Sequence, residues 1–226
     1  MNMYITAVIK DLQDRLNAHL TLLTYRYSNL CVKAELGSLM PVTVAADKEY
    51  NIEDVAKVAT PDEYHFEVYP NHEDYQKPII EGIFDVHPEF KMEVVDDPGD
   101  TGTTHVVYTM PDVDKDRRDL LKDTAKVFYE ECNVEIEKEC GKYITSLSDL
   151  DGRLPLEEVS EIGMVLKHTR EDYRDKSKDL YQQKLAEIEE GYQKYLSGDK
   201  KVVKNEEKEE HIDYTKSFRM RLDNYQ

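Results

Sequence analysis

Cysteines and histidines, which can catalyse reactions or bind metal ions, are few and scattered in this chain of 226 residues, and its 48 acidic residues are too abundant for any pair to be diagnostic. The three cysteines, Cys31, Cys132 and Cys140, fit no zinc-ligand spacing, and we expect them to be buried, reduced thiols. The seven histidines include no His-x-x-x-His pair. Neither a glycine-rich phosphate loop nor a Gly-x-Ser-x-Gly motif is present. The sequence therefore predicts a protein that is not an enzyme, with no catalytic residues, no cofactor and no metal site.

The negative charge is concentrated in the middle of the chain. The whole sequence has a net charge of −18, and residues 36–110 contain 16 acidic but only 4 basic residues. An excess of acid argues against nucleic acid as a partner, but the flanking segments are nearly balanced. No apolar run approaches membrane-spanning length and no leader is evident, which favours a cytoplasmic protein without membrane contact.

Three long segments have the apolar spacing of helices. In residues 3–34, apolar side chains recur every three or four positions. The second segment follows Asp114, a suitable N-cap, and continues to about Ser148. The third begins at Pro155, which suits a first helical turn, and ends near Gly198. Helices with one apolar face each must pack together, which predicts a long antiparallel three-helix bundle.

The segment between the first two helices has the pattern of short strands. Strands are expected where β-branched and aromatic residues alternate with polar ones, at 42–46, 65–69, 89–95 and 105–109. Residues 73–84 indicate one short helix, and the Gly- and Asp-rich stretch 96–104 indicates a turn. Together these features predict a small acidic α/β domain.

The overall prediction is an α+β protein in which this domain is inserted into the bundle. The bundle would comprise residues 1–35 and 111–198, the inserted domain residues 36–110, and a charged tail residues 199–226. Because the insert is joined to the bundle twice, we expect a hinge between the domains. The predicted hinge residues are Gly37, Ser38, Pro41, Met110 and Pro111.

Two stretches of the sequence have the residue order of a known family. Residues 42–83 contain a strand, a polar turn, the corner Glu-Asp-Val-Ala-Lys-Val-Ala-Thr-Pro-Asp at 53–62, and a strand that ends at Pro70 before a helix. Residues 110–126 form the second stretch, at the entry to the second long helix. In these features the chain resembles the ribosome recycling factor family over about residues 1–196.

The resemblance implies an L-shaped molecule with a non-enzymatic role in translation. Members of that family bind the large ribosomal subunit and its rRNA, and they help an elongation-factor-G-type GTPase to separate the subunits after termination. We therefore expect a monomeric, cytoplasmic ribosome-binding factor of protein biosynthesis that acts in ribosome recycling. A second hypothesis is a diverged paralogue with a regulatory or non-ribosomal protein-binding role.

The resemblance implies contacts between cations of the chain and rRNA, and both the family pair and the spacing of lysines indicate candidates. The candidates are a pair that matches the family's Arg-Arg pair, three lysines placed at multiples of four residues along the same segment, and one lysine near the first helix: Arg117, Arg118, Lys126, Lys138, Lys142 and Lys33. The spacing from Arg118 onward favours one basic helix face, although salt bridges and surface solubility explain the same residues. At 137–142, where the family has an arginine-rich run, this chain has Glu-Lys-Glu-Cys-Gly-Lys, which favours the paralogue.

Overall fold

A computed structural model describes residues 3–96, 104–148 and 155–198. By internal contacts the chain divides into two compact units. Among the described residues, the larger unit contains residues 3–30, 115–148 and 155–190, and the smaller contains residues 31–96, 104–114 and 191–198. The predicted class, a helix bundle with a small α/β unit, is confirmed.

The larger unit is built from three helices. These are α1 (Met3–Ser28), α4 (Lys115–Ser148) and α5 (Leu156–Ser197), of which the last continues past Glu190 into the smaller unit. At a rise of about 1.5 Å per residue, α4 is about 51 Å long and α5 about 63 Å. Their length means that they are stabilised mainly by packing one apolar face of each against the other two.

Side-chain contacts between the helices give their directions. Against α4, the partners on α1 run backwards along the sequence, because Arg26 contacts Glu131 while Asp11 contacts Tyr143. The partners on α5 also run backwards, because Lys122 pairs with Glu189 while Glu137 pairs with Arg174. Both α1 and α5 are therefore antiparallel to α4.

Buried polar contacts fix the register of the bundle. The Tyr27 hydroxyl donates to the Ala125 carbonyl at 3.1 Å, and the Tyr173 hydroxyl donates to Asn17 Oδ1 at 2.8 Å. Between α4 and α5, the rings of Tyr129 and Tyr181 stack with centroids 4.8 Å apart. Each contact orients an aromatic side chain whose apolar body fills the helix interface.

The smaller unit contains two antiparallel sheets and one full helix. Its strands are β1 (Thr43–Ala45), β2 (Glu49–Asn51), β3 (Ala56–Ala59), β4 (His65–Pro70), β5 (Lys91–Asp96) and β6 (Thr104–Thr109). The first two strands form a hairpin, and the other four form a sheet in the order β3-β4-β6-β5. A short helix, α2 (Ile52–Val55), and the longer α3 (Gln76–Val86) complete the unit.

The core of the smaller unit lies on one face of the four-stranded sheet. Phe66 and Val68 of β4, Val106 and Tyr108 of β6, and Ile83 of α3 are all fully buried there. The approach of α3 to β1 is so close that a Cβ atom at Gly82 would lie 2.4 Å from the Thr43 carbonyl oxygen. Glycine is therefore required at position 82 for this packing.

Most predicted elements are confirmed, with differences at their ends. The first helix ends at Ser28 rather than near residue 34, because the chain turns at Leu30, whose N–H donates to the Tyr27 carbonyl. The helix predicted at 73–84 is a 3₁₀ turn at Glu73–Tyr75 followed by α3. The sequence analysis missed β2, β3 and α2, each of which is at most four residues long.

The smaller unit extends beyond the predicted 36–110 segment at both edges. Cys31 is buried in its core, and a Cβ atom at Gly191 of α5 would lie 2.6 Å from a Val32 methyl group and 3.2 Å from one of Val113. The chain consequently passes between the units three times, the third time within α5. The predicted charged tail at 199–226 and the turn at 97–103 lie outside the described residues.

Candidate functional site

The candidate cations lie mainly on α4 and are partly exposed. The Lys126, Lys138 and Lys142 side chains expose 60%, 58% and 56% of their surface, whereas that of Arg118 exposes 22%. Lys33 lies in the smaller unit and exposes 44%. These side chains are available to solvent and to a polyanionic partner.

Each of these exposed cations is already next to an acid of the chain. Arg118 donates through Nε and Nη2 to Asp119 Oδ1 at 2.9 and 2.7 Å. The four lysines contact glutamates two to four residues away, in the pairs Lys33–Glu35, Lys126–Glu130, Lys138–Glu135 and Lys142–Glu139. Overall, α4 has seven basic and eight acidic residues. The surface is thus a set of ion pairs rather than an open basic patch.

The prediction that these cations share one helix face is wrong. Successive residues of an α-helix are rotated by about 100°, so Lys126 lies about 80° from Arg118, and Lys138 and Lys142 about 200° and 240° from it. A step of four residues overshoots one turn by about 40°, and the error accumulates over repeated steps. The cations form two groups, one in the first third of α4 and one near its end.

The first group includes a lysine that the sequence analysis overlooked. Lys122 lies one step of four residues after Arg118 and one before Lys126, and its Nζ is 2.6 Å from Glu189 Oε2 on α5. Its spacing alone would have identified it. Arg117 differs from the other candidates, because only 6% of its surface is exposed. The buried position favours a structural role for Arg117.

The predicted hinge residues lie inside the smaller unit. Gly37 and Ser38 belong to a 3₁₀ helix at Leu36–Leu39, and Ser38 is buried. Met110 is also buried, and its N–H donates to the Tyr64 carbonyl at 2.8 Å. Pro41 and Pro111 are half-buried. The hinge stays a prediction. Ser38 and Met110 are both held by contacts within the smaller unit.

A buried polar cluster is centred on His87. His87, fully buried, has Nε2 2.7 Å from the Ser38 carbonyl oxygen and Nδ1 3.3 Å from Glu89 Oε1, and the Cys31 sulfur is 3.8 Å from Nδ1. Burial opposes protonation of the imidazole, but Cys31 and Glu89 outweigh it and raise the pKa of His87 to about 10. The cluster connects the segment after α1 to the end of α3.

The smaller unit has a strongly acidic surface. Residues 31–114 contain 19 acidic and 5 basic residues, and most of the acidic residues that the structure describes there are exposed. Such a surface repels nucleic acid and is complementary to a basic protein surface. The smaller unit is therefore far more acidic than α4, which has nearly equal numbers of acidic and basic residues.

Within the described residues, no helix has the length and apolar character needed to cross a membrane.

Comparison with protein-family models matches residues 27–209 to the model described as ribosome recycling factor. No curated protein matches the chain. The family match covers α4, α5 and the strands of the smaller unit, and it begins at the end of α1.

Solved structures with a similar fold are recycling factors. A solution structure of a ribosome recycling factor has a TM-score of 0.66 and 14% sequence identity, covering 84% of this chain and 100% of that chain. A chain from models of the T. thermophilus ribosome recycling factor and the E. coli elongation factor G bound to the E. coli post-termination complex has a TM-score of 0.54 and 18% identity, covering 81% and 98%. At these identities the likeness shows the shared fold.

Proposed function

This chain belongs to the ribosome recycling factor family, and on that premise we propose that it acts on the ribosome after termination. In this proposal it binds the large ribosomal subunit and, with an elongation-factor-G-type GTPase, promotes separation of the subunits. The observation that supports the proposal most strongly is the family match over residues 27–209. The similar fold of recycling factors over their full lengths is consistent with it.

The mechanism that we propose is mechanical. The larger unit acts as a stiff body, because α4 and α5 are continuous helices joined by ion pairs and stacked tyrosines. The GTPase would displace the smaller unit, and the bundle would then disrupt bridges between the ribosomal subunits. No covalent step is required of the chain.

In binding rRNA, the exposed lysines would exchange their glutamate partners for phosphate groups. Exposed pairs such as Lys126–Glu130 contribute only about 0–1 kcal/mol, so a phosphate can displace the glutamate at little cost. The acid remains nearby, however, and its repulsion weakens the contact with phosphate. We therefore propose an rRNA contact that is weak per residue and strongly dependent on salt.

The test is a subunit-splitting assay on post-termination complexes. Ribosomes, the GTPase and GTP are mixed with the chain, and dissociation is followed by light scattering and sucrose gradients. The proposal predicts splitting that requires both the chain and GTP hydrolysis. Ribosomes that stay intact at saturating protein, although they bind the chain, would refute a recycling activity.

The second proposal is a diverged paralogue with a regulatory or non-ribosomal protein-binding role. It is favoured because every exposed candidate cation is paired with an acid. Co-sedimentation with 50S and 70S particles over a salt series separates the two. A recycling factor should pellet with the large subunit at low salt and be released as salt rises. A chain that stays in the supernatant even at low salt has lost the ribosomal role.

A further inference from the structure

The larger unit brings together three metal-ligating side chains from two helices. His19 of α1 lies beside Glu135 and Glu139 of α4, with one potential ligand atom from each residue within 4.8 Å of the others. It is the one such group of three among the described residues. The two glutamates are four residues apart and therefore project from the same face of α4 towards α1.

Glu139 is the most unusual member of the group. Its side chain is 91% buried, and its Oε2 has no hydrogen-bond partner among the described residues. Its other oxygen, Oε1, accepts from Lys142. A buried carboxylate oxygen without a partner is costly, and a bound cation would compensate that charge.

The neighbouring cations do not close the site. Lys138 and Lys142 contact the two glutamates, but their side chains are 58% and 56% exposed and can move into solvent. The Lys138–Glu135 pair is solvent-exposed and can be released at little cost, whereas the buried Glu139 would exchange its contact with Lys142 for a contact with the ion. The pKa of Glu139 is lowered by its hydrogen bond from Lys142 and also by the charge of Arg15, which lies one turn before His19 and is paired with Asp11. The two carboxylates would then balance the charge of a divalent ion.

We propose that His19, Glu135 and Glu139 bind a zinc-type divalent ion that cross-links α1 to α4. An imidazole nitrogen with two carboxylate oxygens suits Zn²⁺, whereas Mg²⁺ prefers oxygen ligands alone. Ligands about 2.1 Å from a tetrahedral ion lie about 3.4 Å apart, so side-chain shifts of about 1 Å complete the geometry. Water fills the fourth position.

The inference is independent of the proposed ribosomal role. Its consequence is a stiffer bundle, because the ion binds the folded chain and holds two helices at one level. The midpoint of thermal unfolding should therefore rise with zinc concentration, and the rise should follow saturation of one site.

The test uses the full-length chain, stripped of metal with EDTA and titrated with Zn²⁺ alone by calorimetry. One site per chain is expected. The variants His19→Ala and Glu139→Gln should each bind at least about tenfold more weakly, as loss of one ligand predicts. The matched controls are His168→Ala, an exposed histidine on α5, and Glu130→Gln, an exposed glutamate on α4. Both controls should bind zinc like the parent chain.

Two further measurements test whether the variants fold and whether His19 is a ligand. Circular dichroism without metal shows whether each variant folds, and Glu135→Gln replaces Glu139→Gln if the latter does not. Cobalt substituted for zinc should give visible absorption bands that His19→Ala abolishes. If the parent chain shows no saturable site, or if the variants bind zinc as tightly as the controls, the proposed site is wrong.

Discussion

At the scale of single residues, two buried polar side chains of this chain have specific hydrogen-bond partners. These are His87 in the smaller unit and Tyr27 in the bundle, each of which is buried and has a defined partner. Water cannot reach these buried polar atoms to replace a lost partner. Loss of the partner or of the proton should therefore lower the free energy of unfolding. Two predictions follow from them.

The stability of the smaller unit should fall in alkaline solution. The pKa of His87 is about 10 in the folded chain against an ordinary 6.5, so the folded state holds the proton more tightly. The contribution is complete below pH about 6.5 and is lost as the pH rises through about 10. Denaturant unfolding at several pH values measures this fall, and His87→Gln should flatten it. An unchanged slope in that variant would contradict the assignment to His87.

Removing the Tyr27 hydroxyl should weaken the bundle. Tyr27→Phe loses the hydrogen bond to the Ala125 carbonyl while keeping the ring, so the free energy of unfolding should fall by about 1 kcal/mol. Chemical denaturation measures the change. The control is Tyr195→Phe on an exposed part of α5, which should alter stability by less than about 0.5 kcal/mol. Equal effects of the two variants would show that the buried bond is not stabilising.

At the scale of elements, the helices and strands depend on how closely their backbones approach. Where α3 crosses β1 there is no room for a side chain at Gly82, whereas Gly141 of α4 has no atom within 4 Å of a built Cβ. The same residue type is thus required at one position and dispensable at the other.

Substituting these two glycines should have opposite effects on stability. Gly82→Ala forces α3 away from the Thr43 carbonyl and should destabilise the chain by about 1–3 kcal/mol. Gly141→Ala adds a residue with higher helix propensity in open space and should stabilise it by up to about 1 kcal/mol. Thermal unfolding of both variants is the measurement. A tolerated Gly82→Ala would mean that β1 and α3 are packed less tightly than described.

At the scale of the whole molecule, the distribution of charge determines which partners it fits. The bundle has nearly balanced surface ion pairs, and the smaller unit is acidic. The proposed rRNA contact therefore belongs to α4, and the acidic unit fits a basic protein surface. Salt dependence distinguishes these contributions, because phosphate contacts release counterions.

Ribosome affinity should fall as salt rises, because the α4 cations contact rRNA phosphates. Arg118→Ala and Lys126→Ala should each lower the slope of log affinity against log salt by about 0.7–0.9, the effect of one lost phosphate contact. The measurement is binding to the 50S subunit at several salt concentrations. Lys77→Ala, an exposed lysine of the acidic unit, is the control and should leave the slope unchanged. If the slopes of Arg118→Ala and Lys126→Ala equal that of Lys77→Ala, these two residues do not contact rRNA.

The sequence by itself determined the long helices, the longer strands and the family. Apolar spacing over many turns is a local signal, which is why α4 and the end of α5 were predicted closely. Short elements such as β2 and β3 have too few residues for any period, and they form because strand pairing in the sheets stabilises them.

Only the tertiary structure decided what the candidate side chains contact. Lys122 and Glu189 are far apart in the chain, and so is His19 from Glu135 and Glu139, so no spacing rule could identify these contacts. Burial of Arg117 and Ser38 is likewise a property of packing. Local pattern specifies an element, but proximity between elements depends on the angles and registers at which they pack.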